Sequence, residues 1–254
     1  MATQKIIVIK VGTDVLKDPL AFSIIARQIA ELKKMGFGVI LVSSGGVIAG
    51  GVRVTILGGK AEDYQKRVRA SIGARHLLNE WGNALALSGC DIAQFYITYG
   101  NLRFKGEKES IRSNLRQLAF DRFLVPLVNE NDIVSGVEIE KMKQGLGDND
   151  RLARIIAVLV GANAIAFVTV KGGVYTANPD KHTDAKIISR VDGTRRYRPG
   201  KKNADTSQNG TGGMQSKINQ AAICARKGMH AGIIGLSDPL AFLKGEDVGT
   251  LVSV

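Results

Sequence analysis

IIVIKVGT, residues Ile6 to Thr13, is apolar and β-branched at every position from Ile6 to Val11 except Lys10. A strand with one wet face alternates apolar and polar residues. A continuous run is buried on both faces, which places it inside a parallel sheet covered by helices. Lys10 breaks the run near its end, and a lysine in an otherwise buried strand is unusual. Either it reaches solvent at the strand's end, or it points from the sheet's carboxyl edge at a phosphate. Gly12 and Thr13 favour the phosphate, because a small-residue turn lets backbone N–H groups approach an anion.

The flanking chain repeats this grammar. Pro19 to Met35 carries Leu20, Ile24, Ile25, Ile29 and Leu32 at helical spacing and ends at Gly36. Val39 to Val42 is a second buried strand. It runs through Ser43, Ser44, Gly45 and Gly46 into the helix-compatible VIAGG. A strand, a small-residue turn and a helix start together offer free N–H groups and a positive dipole end. A tight turn without a ligand uses the same residues.

Beyond it, Glu62 to Ser88 reads as helices broken near Ser71 to Gly73, and Asp91 to Ile97 as a strand. Lys108 to Phe123 reads as a helix with Ile111, Leu115, Leu118 and Phe123 inward. A short apolar run containing Pro126 follows. Leu152 to Val160 is helical, Asn163 to Val170 a strand, and Val174-Tyr175 opens a short hairpin. Ser189 to Gly210 is polar, basic and glycine-bearing, and reads as a mobile loop. Ala231 to Leu236 and Thr250 to Val252 supply the last strands. Alternating strands and helices predict a mainly parallel sheet covered on both faces, with ligands at its carboxyl edge. Lys10, Ser44, Asp132 and Thr169 all fall at strand ends on that edge.

Two acid-amide clusters bracket a polar excursion: Asn129 to Asp132, and Asp148 to Asp150. Such groups are costly to bury unpaired, so they face solvent, a ligand or a metal. A strand-end turn and a helix cap also use Asp and Asn. Further on, GTGGMQSK (Gly210 to Lys217) feeds a helix with a lysine in its first turns. Lysine there opposes the helix dipole, which points to a bound anion. The spacing is neither a P-loop nor a dinucleotide fingerprint.

The chain has 254 residues and a formal charge of +12. No apolar run reaches membrane-spanning length, and the N-terminus lacks the pattern of an export signal. Two cysteines, Cys90 and Cys224, are too few for a disulfide scaffold and read as small buried apolar residues in a reducing cytoplasm. The densest basic cluster is Arg195, Arg196, Arg198, Lys201 and Lys202. Only Tyr197 beside it offers a stacking platform, which argues for a solvated loop over nucleic-acid binding. His76, His182 and His230 read as surface or structural residues.

IKVGTDVL, LVSSGGVIAGG, LVPLVNENDIV, GLGDNDRLARIIAVLVGANAI, TVKGGVYTANPD and GTGGMQSKINQAAICARKGM, in this order, resemble the amino acid kinase superfamily. Within it they resemble the glutamate 5-kinases. The resemblance implies an α/β fold, a three-layer αβα sandwich with a mainly parallel central sheet, forming one domain over residues 1–254 without a C-terminal PUA domain. It implies ATP with magnesium, phosphorylation of the L-glutamate side chain toward proline, feedback inhibition by proline, and dimers or tetramers. Carried across, Lys10 and Lys217 contact the transferring phosphate and Asp150 positions them. Ser44, Gly45, Asp132, Asp148 and Asn149 bind glutamate. Gly12, Thr169, Thr211, Gly212, Gly213 and Met214 hold the nucleotide with the two lysines. No protein metal ligand is implied. Three features depart from the family: Val170 stands where an aspartate is usual, the segment between Asp132 and Asp148 is longer, and the sequence stops at DVGTLVSV. A related kinase acting on another carboxylate, carbamate or phosphate is the alternative. A basic, non-catalytic nucleic-acid-associated protein is the third reading.

Overall fold

The structure is a computed structural model describing residues 5–134, 149–194 and 213–254. Strand β1 (Ile6–Val11) lies inside the sheet and is buried at all six positions. Its neighbours are β2 (Gly38–Ser43) and β5 (Ala164–Val168), both parallel to it and both fully buried. Outward from β2 lie β4 (Leu124–Glu130) and the edge strand β3 (Asp91–Ile97). Outward from β5 lie β9 (His230–Ile234), β10 (Thr250–Ser253) and β8 (Arg190–Asp192). Among the described residues, only the β9–β10 pairing in this eight-stranded sheet is antiparallel. A separate hairpin joins β6 (Val174–Tyr175) to β7 (Ile187–Ile188), so the hairpin expected to open at Val174 does open there.

Helices cover both faces. On one side α1 (Leu20–Lys34), α3 (Lys66–Ala86) and α7 (Pro239–Leu243) pack Ile25, Ile29, Trp81, Leu85 and Phe242 against Ile7, Ile9 and Val11 of β1. On the other, α4 (Lys105–Ala119), α5 (Asn149–Val160) and α6 (Met214–Ala225) bring Leu115, Ile156 and Ile218 against Ile6 and Val8. The three-layer expectation therefore holds. Side chains alternate across a strand, so Lys10 follows Ile6 and Val8 toward the face of α5 and α6.

Three readings of the sequence are corrected, and one helix was passed over. Helix α3 runs unbroken through Ser71 to Gly73. Gly73 is there for closeness, not for a break. A Cβ on it would lie 2.0 Å from the Gly46 carbonyl oxygen, and one on Gly50 would lie 1.8 Å from that of Arg69. Helix α2 (Gly46–Ile56) and α3 thus touch backbone to backbone. Helix α4 ends at Ala119, and Phe123, expected inside, is exposed at the front of β4. The aspartate turn before Leu124 explains this: the Asp121 carboxylate accepts the N–H groups of Phe123 and Leu124, stopping the helix. The stretch from Ser189, expected as loop, contributes β8 because Arg190, Val191 and Asp192 pair with Leu251, Val252 and Ser253. Residues 195–210 of that stretch, including the basic cluster from Arg195 to Lys202, lie outside the described residues. Lastly, α7 carried no signal above its neighbours. Its Phe242 fills the space left by Gly232, where a Cβ would come within 2.4 Å of the ring.

Candidate active site

Lys10, Asp150 and Lys217 come from β1, the first turn of α5 and the first turn of α6. Lys10 Nζ lies 2.6 Å from Asp150 Oδ1, and Lys217 Nζ donates to Asp150 Oδ2 at 3.0 Å. The aspartate side chain is 2% exposed, that of Lys10 5% and that of Lys217 14%. One carboxylate therefore gathers two ammonium groups from opposite ends of the chain. A buried ion needs a partner, and this cluster supplies each of its ions with one. The second acid-amide cluster, expected to face solvent, ligand or metal, splits instead. Asp150 turns inward to the lysines, and Asn149 faces a cleft.

The cluster keeps a net single positive charge, and α5 and α6 both begin beside it. Helix N-termini carry unpaired N–H groups and the positive end of the dipole. Lysine on such a helix start is electrostatically unfavourable alone; Asp150 offsets it. The arrangement suits a ligand more negative than the protein can balance by itself.

Gly12 follows at the end of β1. A Cβ there would sit 3.9 Å from Lys10 Nζ and 3.5 Å from the Val168 carbonyl oxygen, so the backbone lies close over the lysine. Register sets Val11 beside Val168, which brings Gly12 and Thr169 to the same stretch of edge. Thr169 is buried, its N–H donating to the Ile234 carbonyl at 2.9 Å. Val170, next in sequence, is 63% exposed. Gly213 and Met214 stand at the N-terminus of α6. Thr211 and Gly212 lie outside the described residues, as does Asp148.

Beside α5's first turn is a cleft open to solvent. Ser44, Gly46, Tyr96, Glu130, Asp132 and Asn149 are among its walls. Asn149 Nδ2 donates to Ser44 Oγ at 3.2 Å. Gly45 has φ +105°, a left-handed conformation that a side chain rarely adopts, and caps α2 in the turn after β2. The Ser44 N–H donates to the Val11 carbonyl at 3.2 Å. The Ser44 N–H is therefore taken, and the amides that can receive an anion come after it, from Gly45 into the first turn of α2. Burial alone pushes the Asp132 carboxyl above the usual aspartate range. A cationic group arriving there would relieve that cost.

The sequence passed over two contributors. Glu130, last residue of β4, is buried in the cleft, and Tyr96 reaches it from β3. Glu130 stood in plain view between Asn129 and Asn131, but a strand-end glutamate reads as solvated. Only the register of β3 against β4, with Tyr96 beside Asn129, brings Tyr96 near.

The description of the Amino acid kinase family matches residues 5–235. The chain belongs to the amino acid kinase family. It is 35% identical over 235 residues to a glutamate 5-kinase of Vibrio vulnificus (strain YJ016), covering 89% of this chain and 60% of that protein. A glutamate 5-kinase of Pasteurella multocida (strain Pm70) is 30% identical over 263 residues, covering 100% and 70%. The chain thus spans about 60% of the length of the first of these relatives. Among solved structures, carbamate kinase from Giardia lamblia bound to AMP-PNP superposes with a TM-score of 0.65 at 16% identity, covering 100% of this chain and 99% of that one. UMP kinase from Bacillus anthracis gives 0.63 at 17% identity, covering 98% and 96%. These two establish the amino acid kinase fold.

Proposed function

We propose that this amino acid kinase family protein transfers the γ-phosphoryl group of ATP to the side-chain carboxylate of L-glutamate, forming L-glutamyl 5-phosphate, the first step of proline biosynthesis. The convergence of Lys10 and Lys217 on buried Asp150 beside an acidic cleft carries the reading. Relatives named as glutamate 5-kinases at 30–35% identity support it, and a fold neighbour named as bound to AMP-PNP supports ATP.

The chemistry fits these residues. The acceptor carboxylate is already ionised at neutral pH, so no general base is required. Phosphoryl transfer needs alignment and neutralisation of charge on the transferring oxygens. Lys10 and Lys217 supply that charge, and Asp150 holds both ammonium groups in place. Gly12, Thr169, Gly213 and Met214, with Thr211 and Gly212, form the nucleotide side. On the acceptor side, Asp132 receives the glutamate ammonium. Ser44, Gly45, Asn149 and Asp148, with the first amides of α2, receive carboxylate. Both oxygens of Asp150 already face lysines. Magnesium then belongs with the nucleotide's phosphates and water, where it neutralises triphosphate charge.

The same reading carries proline as a feedback inhibitor, assembly as a dimer or tetramer, and a cytoplasmic location. Among the described residues no helix is long and apolar enough to cross a membrane. A carbamate or nucleotide-phosphate acceptor is the second reading, favoured by the exposed apolar Val170 on the nucleotide side. Neither acceptor brings an ammonium group for Asp132, so glutamate ranks first. Binding of nucleic acid by the +12 charge ranks last, since it leaves the buried lysine pair unexplained.

The test is incubation with Mg-ATP and a panel of amino acids, carbamate and UMP, following ADP release for every acceptor and trapping acyl phosphate from the carboxylates with hydroxylamine. Hydroxamate from glutamate is expected. Product only from another acceptor overturns the reading.

A further inference from the structure

The turn that opens the acceptor cleft is held from behind by a buried hydrogen-bond relay. Trp81 on α3 is fully buried and meets Phe22 edge-on at 4.7 Å between ring centroids. Its Nε1–H donates to Ser43 Oγ at 3.0 Å. That hydroxyl donates to the Ser44 carbonyl at 3.1 Å. From the other side, Asn129 Nδ2 donates to the Ser43 carbonyl at 2.8 Å, and Gln94 Nε2 donates to Asn129 Oδ1 at 3.3 Å. The Ser44 N–H is tied to β1 through Val11. Both carbonyls of the turn are thus engaged inside the protein.

A peptide with its carbonyls engaged inward presents donors outward. Here those donors are the Gly45 N–H, which shares its peptide with the engaged Ser44 carbonyl, and the Ser44 hydroxyl, which already accepts from Asn149 and so has its proton to give. Indole N–H is a donor only, so the relay has one direction: the Ser43 hydroxyl, accepting from Trp81, turns its own proton to the Ser44 carbonyl. Nothing about core packing alone requires an indole N–H at this position; Phe would fill most of the same volume.

We propose that Trp81, acting through Ser43, is a positioning residue that orients the Ser44–Gly46 turn to receive a carboxylate of the acceptor substrate. This rests on the acceptor role proposed for that turn. Neither residue touches substrate. The relay contributes to acceptor binding and makes no hydrogen bond to Lys10, Asp150 or Lys217, none of which lines the cleft.

The test compares wild type with Ser43→Ala, Trp81→Phe and the double variant by hydroxamate kinetics. Each single variant is expected to raise the glutamate KM on the order of tenfold, the scale of one buried hydrogen bond. kcat and the ATP KM are expected to stay within about threefold. The double variant is expected to be little worse than either single one, because both break the same relay. Trp81 is the sole tryptophan, so its emission reports on the turn. Glutamate is expected to shift it in wild type and not in Ser43→Ala. Unchanged glutamate KM in Ser43→Ala, or parallel losses in kcat and both KM values, overturns the relay. Ser43→Ala keeps the core volume, so its KM decides the matter even where Trp81→Phe fails to fold. Wild type using a different acceptor overturns the proposed function instead, and the relay is then judged by the same KM split on that acceptor. Wild type with no acceptor overturns both.

Discussion

On one side of α5's first turn, Asp150 meets two lysines at 2.6 and 3.0 Å; on the other, Asp132 sits half-buried with only desolvation acting on its carboxyl. The first group pairs its charges within the protein, with one positive charge left over for an anion. The second is left poised for a charge the ligand brings. A phosphate-transferring centre has to keep its cations fixed while the anion passes, so its geometry is built in. A recognition pocket gains selectivity by leaving its own charge incompletely satisfied until the right partner arrives. The helix pair α2–α3, packed backbone to backbone, walls the recognition side through Gly46, Ala70 and Ala74.

Breaking the balanced side has the largest expected effect. Asp150→Ala removes the carboxylate that both buried ammonium groups face, and its stability in urea is expected to fall by about 3–5 kcal/mol. Wild-type stability in that variant would show that water reaches the lysines and that the cluster is not the sealed unit described. Lys217→Ala, which leaves the Lys10–Asp150 pair intact, is expected to lower kcat by about 10²–10³-fold with little change in glutamate KM. A change confined to KM would move Lys217 to the recognition side. Gly50→Ala attacks the wall. Its methyl must displace the Arg69 carbonyl, and overpacking of that kind costs about 1–3 kcal/mol in thermal or denaturant unfolding.

The smallest effect sharpens the contrast by its sign. Burial raises the Asp132 pKa, so the folded state holds this proton more tightly than the unfolded chain does. The associated stability is fully present below the ordinary aspartate pKa and is lost as pH rises through the raised one. Asp132→Asn is therefore expected to have a higher Tm than wild type at neutral pH, with the gain vanishing in acid. Glutamate KM follows the opposite demand, for an ionised carboxylate. In wild type it is expected to climb as pH falls, beginning above the ordinary aspartate range; in Asp132→Asn it should be high throughout. A lower Tm for the variant at neutral pH would place a compensating cation beside Asp132.

Much of this molecule was legible in its residues. The unbroken apolar run of β1 announced a strand buried on both faces, and Lys10 within it was conspicuous because burial of an ammonium is costly. Serine and glycine after β2, and the glycine-rich entry to α6, suggested anion-receiving turns for the same local reason: amides need small residues to be approached. Short-range chemistry writes itself into neighbouring residues, whether as period, as turn composition or as a charge out of place. Gly73 misled, because a glycine inside a helix reads as a weakness, and only the approach of α2 shows it to be a contact. Buried Cys90 and Cys224 met expectation, with burial raising the Cys224 thiol to about 12.

The sequence by itself determined where strands and helices alternate, which edge of the sheet collects the polar residues, and that two lysines had no ordinary reason to be where they are. The tertiary structure alone decided how closely Asp150 gathers them, that Glu130 and Tyr96 join Asp132 in one cleft, and that Trp81 reaches the turn from behind. Those contacts join residues far apart along the chain. They depend on strand register and on which face each alternate side chain takes, and no local pattern in the chain records either.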